Sequence, residues 1–210
     1  MSIKVNLSRN LIGIFSCLVL AGCAAPRPPF IVDVSDSIYR GASPNRSLAH
    51  HISTLTIINK ADDGTFVDTA FTSDSICPIK PQTRTRDTVE QDIKRYLEDQ
   101  LLIDHSAKLA LRVTIYKADS YFVITSARKT PFVGLATHSS DTDIGMNLKV
   151  LIEIEDSGKV VKSYLYDEKI VIYGKYADYD DIAASYRKLI DKYRKIFFGE
   201  LDNQFINRYF

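Results

Sequence analysis

The thiol of Cys23 is the side chain whose surroundings point most directly to chemistry. It follows a pair of small residues that ends at Gly22, and it closes an apolar stretch over residues 11–20. That stretch of about ten residues has the length of the apolar part of an export signal and is too short to cross a bilayer as a helix. Lys4 and Arg9 provide the positive charge with which such a signal begins. The segment up to Gly22 is therefore predicted to be a cleaved export signal.

The tetrapeptide Leu20-Ala21-Gly22-Cys23 resembles the lipobox at which bacterial lipoproteins are processed. The resemblance implies cleavage after Gly22, transfer of a diacylglycerol to the thiol of Cys23, and acylation of the new amino group. Several acyl chains, at about 0.8 kcal/mol per buried methylene, anchor a protein far more firmly than a single chain does. The alternative is an ordinary export signal followed by an incidental cysteine.

The histidines and acidic residues form no recognisable catalytic or metal-binding set. His50 and His51 are adjacent, but no acidic residue or cysteine stands at the spacing of zinc ligands. His138, Ser139 and Asp141 are close in sequence, and closeness within one loop does not give the geometry of a catalytic triad. We therefore predict no metal, no cofactor and no enzymatic activity.

The charges nearly cancel, with 27 basic and 26 acidic residues and a net charge of +1. Loss of the signal removes Lys4 and Arg9, which changes the net charge from +1 to −1. Such a chain produces no field that recruits nucleic acid or an anionic membrane surface, so no nucleic-acid partner is expected. The hydrophobic content of 45% suits a folded domain with its own core.

Composition divides the chain into three parts. Residues 1–22 are the predicted signal. Residues 23–47 hold the lipidated cysteine, a flexible tether and a polar loop, because the run from Pro26 to Pro29 favours an extended backbone. Residues 48–210 are predicted to form a single periplasmic α+β domain.

Cys77 would be the one cysteine left with a free thiol after processing, since Cys17 leaves with the signal and Cys23 becomes a thioether. No intramolecular disulfide can then form. Two alternatives remain for Cys77, a half-buried free thiol or an intermolecular disulfide in an oxidising compartment.

Alternating apolar and polar residues predict a sheet. The predicted strands are Ile52–Ile58, Leu109–Ile115 with a continuation as far as Ile124, and Asn147–Glu155. Residues 65–71 are predicted to pair back on the first strand. Residues 73–86 and 127–145 are predicted to be loops, since proline and glycine interrupt both.

A hairpin is predicted at Asp156-Ser157-Gly158, a turn sequence between two apolar runs. The return strand is Val160–Ile172. Its alternation is poor at Tyr164–Tyr166, which predicts either a bulge there or a region covered on both faces.

Two helices are predicted. The first opens at Thr88 with Gln91 in a capping-box pattern. The second follows Asp180-Asp181 and is broken at Gly199, which predicts a kink or a close contact. Its apolar stripe consists of Ile182, Tyr186, Leu189, Tyr193, Ile196, Phe197, Leu201 and Phe205. The fold class is therefore α+β, a mainly antiparallel sheet with both helices packed on one face.

Tyrosine is the enriched polar-aromatic residue, with 12 copies and no tryptophan in the chain. The residues around the last strand are Tyr164, Tyr166, Tyr173, Tyr176 and Tyr179. One interpretation is a surface that contacts a protein partner, since tyrosine is enriched at interfaces. The other is that these rings cover the sheet and cap the core.

The layout resembles the YajG-type lipoproteins of Gram-negative bacteria. The resemblance rests on the lipobox at Cys23, the segment Ile31–Val34, the strand Leu111–Asp119, the hairpin Met146–Tyr173 and the long final helix. It implies a lipid-anchored envelope protein held to the membrane through acyl chains on Cys23, and it supplies no catalytic residues.

By resemblance to enteric lipoproteins, Ala24 in place of an aspartate implies the periplasmic face of the outer membrane. Three functions are compatible with that location. The first is a non-catalytic accessory module with an envelope protein partner. The second is a lipid or peptidoglycan carrier with a pocket between the sheet and the final helix. The third, an envelope hydrolase, has the least support.

Overall fold

The computed structural model describes residues 50–65, 67, 74–126, 141–175 and 179–210. The predicted signal, lipidation site and tether lie outside the described residues. So do Tyr176, the side chain of Tyr179 and most of the predicted 127–145 loop.

The elements divide into seven strands and a set of helical segments. In chain order they are β1 (His50–Ile52), β2 (Thr54–Asn59), β3 (Ser75–Pro78), α1 (Thr85–Gln100), β4 (Leu101–Ile103), β5 (Leu109–Ile124), β6 (Asp141–Asp156), β7 (Lys159–Lys175), α2 (Tyr179–Leu201), a π-helical segment (Asp202–Ile206) and α3 (Asn207–Tyr209).

The main sheet has five strands in the order β2-β5-β6-β7, with β3 also paired to β5. β2 runs parallel to β5, whereas β3, β5, β6 and β7 are joined by antiparallel pairings. β1 and β4 form a separate parallel pair. The chain thus has a mixed α+β fold with two long helices and a mostly antiparallel sheet, as predicted.

The hairpin between β6 and β7 turns at the predicted residues. Ser157 and Gly158 have φ angles of 53° and 77°. Positive φ at both central residues gives the turn whose twist matches that of the flanking strands, and glycine adopts it without steric cost. This turn fixes the register of two long strands, with Ile152 opposite Tyr164 and Val150 opposite Tyr166.

One face of the sheet is covered and the other is open. The even-numbered residues of β6 are buried, namely Ile144, Met146, Leu148, Val150, Ile152 and Ile154. They share one apolar cluster with α1 and α2, which includes Val89, Ile93 and Leu97 of α1 and Tyr186, Leu189, Tyr193 and Phe197 of α2. The odd-numbered residues of β6 from Asn147 to Glu153 are half-buried. Both helices therefore pack on the covered face.

The start of α1 differs from the prediction. The helix begins at Thr85, and Arg84 at its N-cap makes no side-chain capping bond. The hydroxyl of Thr88 is buried and has no hydrogen-bond partner, so it does not cap the helix. Thr85 instead bonds to Ser120 and Tyr186. A tertiary contact, rather than a local capping box, fixes this helix end.

The predicted loops are shorter in the structure. Residues 73–86 include β3, whose Pro78 ends the strand opposite Tyr121, a position where the missing N–H of proline is tolerated. Residues 141–145 belong to β6 rather than to a loop. Of the segment that was predicted to pair with the first strand, Val67 bridges to Ile76 of β3 instead.

The predicted bulge lies elsewhere. Pairing is regular at Tyr164–Tyr166, and the register shifts at Val161, because Ile154 pairs with Lys162 and Glu155 pairs with Val160. The close contact predicted at Gly199 is also wrong, since a Cβ there would meet nothing within 4 Å. Poor alternation near the tyrosines reflects burial of alternate side chains under α2, not an extra residue.

Candidate functional site

The histidines and acids considered from sequence do not come together. His51 Nδ1 lies 3.2 Å from Asp104 Oδ2 on the surface, and the hydrogen bond from Ser106 lowers the pKa of that carboxyl. Within the described residues, no group of three His, Cys, Asp or Glu side chains is placed to hold a metal ion. His138 and Ser139 lie outside those residues, and Asp141 begins β6.

Cys77 is buried and is not half of a disulfide. It stands in β3 opposite Phe122 of β5, so its side chain is part of the core rather than at the surface. The first of the two alternatives, a largely buried thiol, agrees with this placement.

The five tyrosines do not form one surface. Tyr166 is 2% exposed and packs edge-on against Phe197 at 5.0 Å between ring centroids. Its hydroxyl has no partner, and burial raises the pKa of the phenol strongly. Tyr164 is half-buried, and burial raises its pKa to about 12. Tyr173 is 81% exposed and projects from the opposite face.

Strand geometry explains this division. Side chains alternate between the two faces of a strand, so Tyr164 and Tyr166 face the helices while Tyr173 faces the open side. Tyr166 is thus a core residue and cannot contribute to a contact surface. Tyr176 and the side chain of Tyr179 lie outside the described residues.

The space between the sheet and α2 is filled by aromatic rings. Ring contacts at 4.5–6.0 Å between centroids join Tyr96 with Phe198, Tyr166 with Phe197, Tyr193 with Phe197, and Tyr164 with Phe205. Tyr96 also donates a hydrogen bond to Asp202 at the start of the π-helical segment. These rings occupy part of the space between sheet and helix in which the sequence suggested a carrier pocket.

A cavity of about 300 Å³ lies instead at the start of α1. Its walls include Lys80, Arg84, Arg86, Asp63 and Asp119. Both arginines face Asp63, at 3.6 and 3.8 Å between nitrogen and oxygen. The cavity is therefore polar and lined by charges that already compensate one another, which does not suit an acyl chain.

Buried polar groups lie beneath this cavity. The hydroxyl of Thr85 is 2.7 Å from that of Ser120 and 3.0 Å from that of Tyr186. Burial raises the pKa of Tyr186 to about 12. The hydroxyl of Thr85 thus links those of Ser120 and Tyr186. Their arrangement joins α1, β5 and α2.

A second buried polar contact links the two helices. Arg194 donates from Nε to Asp92 Oδ2 at 2.7 Å and from Nη2 to Oδ1 at 2.9 Å. Two parallel bonds of this kind give both strength and a fixed orientation. Sequence reasoning placed Asp92 among the acidic residues of the first helical turn and did not pair it with Arg194. The sequence signal for this contact was one charged residue beside the apolar stripe of each helix.

The open face carries buried, half-buried and exposed groups. A row across four strands consists of Ile58, Thr114, Leu151 and Leu165, each directly opposite the next. Leu165 at the end of this row is 53% exposed. A neighbouring row holds the ion pair of Lys149 and Asp167, 2.6 Å from Nζ to Oδ2.

The open face is bordered on one side by the outer edge of β7. Val160 and Val161 are 49% and 48% exposed. Among the described strands, none pairs with this edge. Lys192 of α2 donates from Nζ to the carbonyl of Val171 at 2.7 Å, which covers one position of the edge.

Among the described segments, no helix combines the length and the apolar character needed to cross a membrane. Comparisons with protein-family models, with curated proteins and with solved structures gave no match. The candidate site is therefore defined by geometry alone, as the open face of the sheet together with the outer edge of β7.

Proposed function

We propose that this chain is a lipid-anchored, non-catalytic accessory protein of the Gram-negative envelope, which contacts another envelope protein through the open face of its sheet. The observation that carries the contact is the row from Ile58 to Leu165. It brings the half-buried Ile58 and Leu151 and the exposed Leu165 to the side of the sheet that neither helix covers, with the buried Thr114 between the first two. Exposed apolar groups gathered on one surface are typical of a binding site.

The anchoring part of the proposal rests on the sequence. Leu20-Ala21-Gly22-Cys23 supports lipidation of Cys23 followed by cleavage after Gly22, and Ala24 supports the periplasmic face of the outer membrane. The resemblance to the YajG-type lipoproteins supports the same place in the cell. Residues 23–47 would then hold the domain away from the membrane surface.

A carrier function has weaker support. A lipid carrier needs an apolar cavity, and in the described residues the space under α2 is occupied by rings such as Tyr166, Tyr193 and Phe197. The cavity near Arg84 is polar. The open face therefore favours the accessory module over the carrier.

Lipidation is tested by metabolic labelling with a fatty-acid analogue. We expect label on the wild-type protein and a mature chain that begins at Cys23. Cys23→Ser should abolish the label and leave unprocessed precursor, whereas Cys77→Ser, at the buried thiol, should keep both the label and the processing. A labelled chain that begins at another residue would contradict the proposal.

The contact is tested by photocrosslinking in intact cells. A photoreactive residue replaces Thr56, which is exposed on the open side of β2, and in a control it replaces Gln91, which is exposed on α1. We expect a discrete protein adduct from position 56 and little from position 91. Equal adducts from both positions, or recovery of lipid alone from position 56, would overturn the accessory function.

A further inference from the structure

The outer edge of β7 pairs with no other strand among the described residues. A strand at an edge presents unpaired N–H and C=O groups that can accept another strand. The carbonyl of Val171 points outward, since Lys192 of α2 reaches it at 2.7 Å. Backbone groups of a strand alternate between its two neighbours, so those of Leu165, Asp167 and Lys169 point outward as well.

Two features limit the length of edge that another strand could use. The register shift between β6 and β7 falls at Val161, and a bulge interrupts regular pairing. At the other end, Lys192 occupies the carbonyl of Val171. The regular, uncovered stretch is therefore residues 161–169, with Leu165 at its centre.

This stretch is complementary to itself when reversed. In an antiparallel pair with a two-fold axis at Leu165, residues whose numbers are equally far from 165 stand opposite each other on the same face. Lys162 then faces Glu168 of the copy, and Glu168 faces Lys162. Ser163 faces Asp167, and the two Leu165 side chains meet at the axis. Opposite charges directly across a strand pair stabilise it.

We propose that β7 pairs with β7 of a second copy of this chain, antiparallel about Leu165, so that two five-stranded sheets become continuous. The pairing covers Leu165, which is 53% exposed, and Val161, which is 48% exposed. It also gives Glu168 an opposite charge, which it lacks among the ion pairs of the described residues.

Neighbouring registers are less favourable. An axis at Tyr164 places Val161 opposite Asp167 of the copy and separates Lys162 from Glu168. An axis at Tyr166 places Leu165 opposite Asp167 and separates Lys162 from Glu168. The charge pattern thus selects one register, and it selects a second copy over an arbitrary partner strand.

This dimer goes beyond the proposed function and does not depend on it. The two proposed surfaces meet at Leu165, whereas Thr56 on β2 lies at the other end of the strand order from β7 and is not covered by the pairing. Failure of crosslinking at Thr56 would count against the accessory function alone, and failure at Leu165 against the dimer alone.

The geometry is tested with the full chain in a Gram-negative host by treating Leu165→Cys cells with a short bis-maleimide. Directly opposed residues of two strands have Cα atoms about 5.5 Å apart. We therefore expect a crosslinked product of twice the chain's mass.

Tyr173→Cys is the matched control, because Tyr173 lies on the same face of β7 and is 81% exposed. The offset of about sixteen residues places its two copies about 50 Å apart, so no product is expected. The parent chain reports any background from its native cysteines.

The register is tested by exchanging charges in the Leu165→Cys chain. Glu168→Lys alone and Lys162→Glu alone put like charges opposite each other twice, and each should weaken the dimer roughly tenfold. The double variant restores opposite charges and should recover the crosslink. Thermal unfolding of each variant checks that the monomer remains folded.

Three results would overturn the proposal. The first is a Leu165→Cys chain whose new thiol reacts with a monofunctional maleimide but which gives no dimer with the bis-maleimide. The second is a crosslinked product that contains a different protein. The third is a double charge variant that crosslinks no better than the two single variants.

Discussion

The two faces of the sheet are built from the same strands, but the ion pairs on them differ in how much of each side chain water can reach. On the covered face, Asp92 and Arg194 have side chains that are 4% and 10% exposed and are joined by two hydrogen bonds. On the open face, Lys149 and Asp167 are 35% and 54% exposed and also form a close ion pair. The distances are similar, so distance does not tell how much each pair contributes.

The two pairs differ in whether water can solvate the charge that remains when one partner is removed. When one partner of an exposed pair is removed, water solvates the other, and the measured contribution is about 0–1 kcal/mol. When one partner of a buried pair is removed, the remaining charge stays in a medium of low polarity. The covered face therefore depends on complete pairing, whereas the open face is free to change its partners, as a binding surface must.

The largest expected loss of stability follows from breaking the ion pair on the covered face. Asp92→Ala leaves Arg194 buried without its carboxylate and should lower the free energy of unfolding by about 3–5 kcal/mol. Asp167→Ala is the matched change on the open face and should cost about 0–1 kcal/mol. Urea unfolding followed by circular dichroism measures both. Equal losses from the two variants would show that the faces do not differ in this way.

A comparable loss of stability is expected when the buried tyrosine of β7 is truncated, but not when the exposed one is. Tyr166→Ala removes a buried ring that packs on Phe197 and should cost about 3–5 kcal/mol. Tyr173→Ala removes an exposed ring and should change stability by about 0.5 kcal/mol or less. Thermal and urea unfolding distinguish them.

Tyr166→Phe provides the control for that pair. The hydroxyl of Tyr166 has no hydrogen-bond partner, so its removal alone should leave stability nearly unchanged or raise it. A large loss in this variant would indicate that the hydroxyl is bonded in the folded protein.

A smaller effect on stability, which depends on pH, is expected from the buried phenol of Tyr186. Burial raises the pKa of Tyr186 from 10.0 to about 12. Between these values the unfolded chain loses the phenolic proton while the folded chain keeps it, so stability falls as pH rises. The slope is at most about 1.4 kcal/mol per pH unit for one tyrosine.

Urea unfolding over the pH range in which Tyr186 titrates, from below the unfolded pKa of 10.0 to the folded value of about 12, measures this slope. Tyr186→Phe should flatten it, and Tyr173→Phe, at an exposed ring, should leave it unchanged. A slope that survives in Tyr186→Phe would assign it to other groups, such as Tyr164, whose pKa burial also raises.

Much of the fold could be predicted because it depends on local patterns. Alternation predicted β5 and β6, and the turn at Ser157-Gly158 predicted the hairpin. The apolar stripe predicted α2. Strand β3 was missed because its four residues contain a cysteine and a proline between other loop residues, and its pairing with Tyr121–Ile124 is remote in sequence.

The candidate site was predicted less well, because exposure depends on which elements cover a face. Tyr164, Tyr166 and Tyr173 are similar in sequence context, yet α2 buries one and partly covers another. The row from Ile58 to Leu165 was also not recognised, since it joins residues of four strands whose register no local pattern specifies.

The sequence by itself predicts the lipid anchor and determined the types of the main elements, since a lipobox, a turn and an amphipathic period are each contained in a few neighbouring residues. Only the tertiary structure decided that α1 begins at Thr85, that Asp92 meets Arg194, and that β7 lies at an edge. These outcomes depend on contacts between residues as many as 102 positions apart. Their free energy comes from burying and pairing groups that the local sequence does not bring together, so local patterns alone do not reveal them.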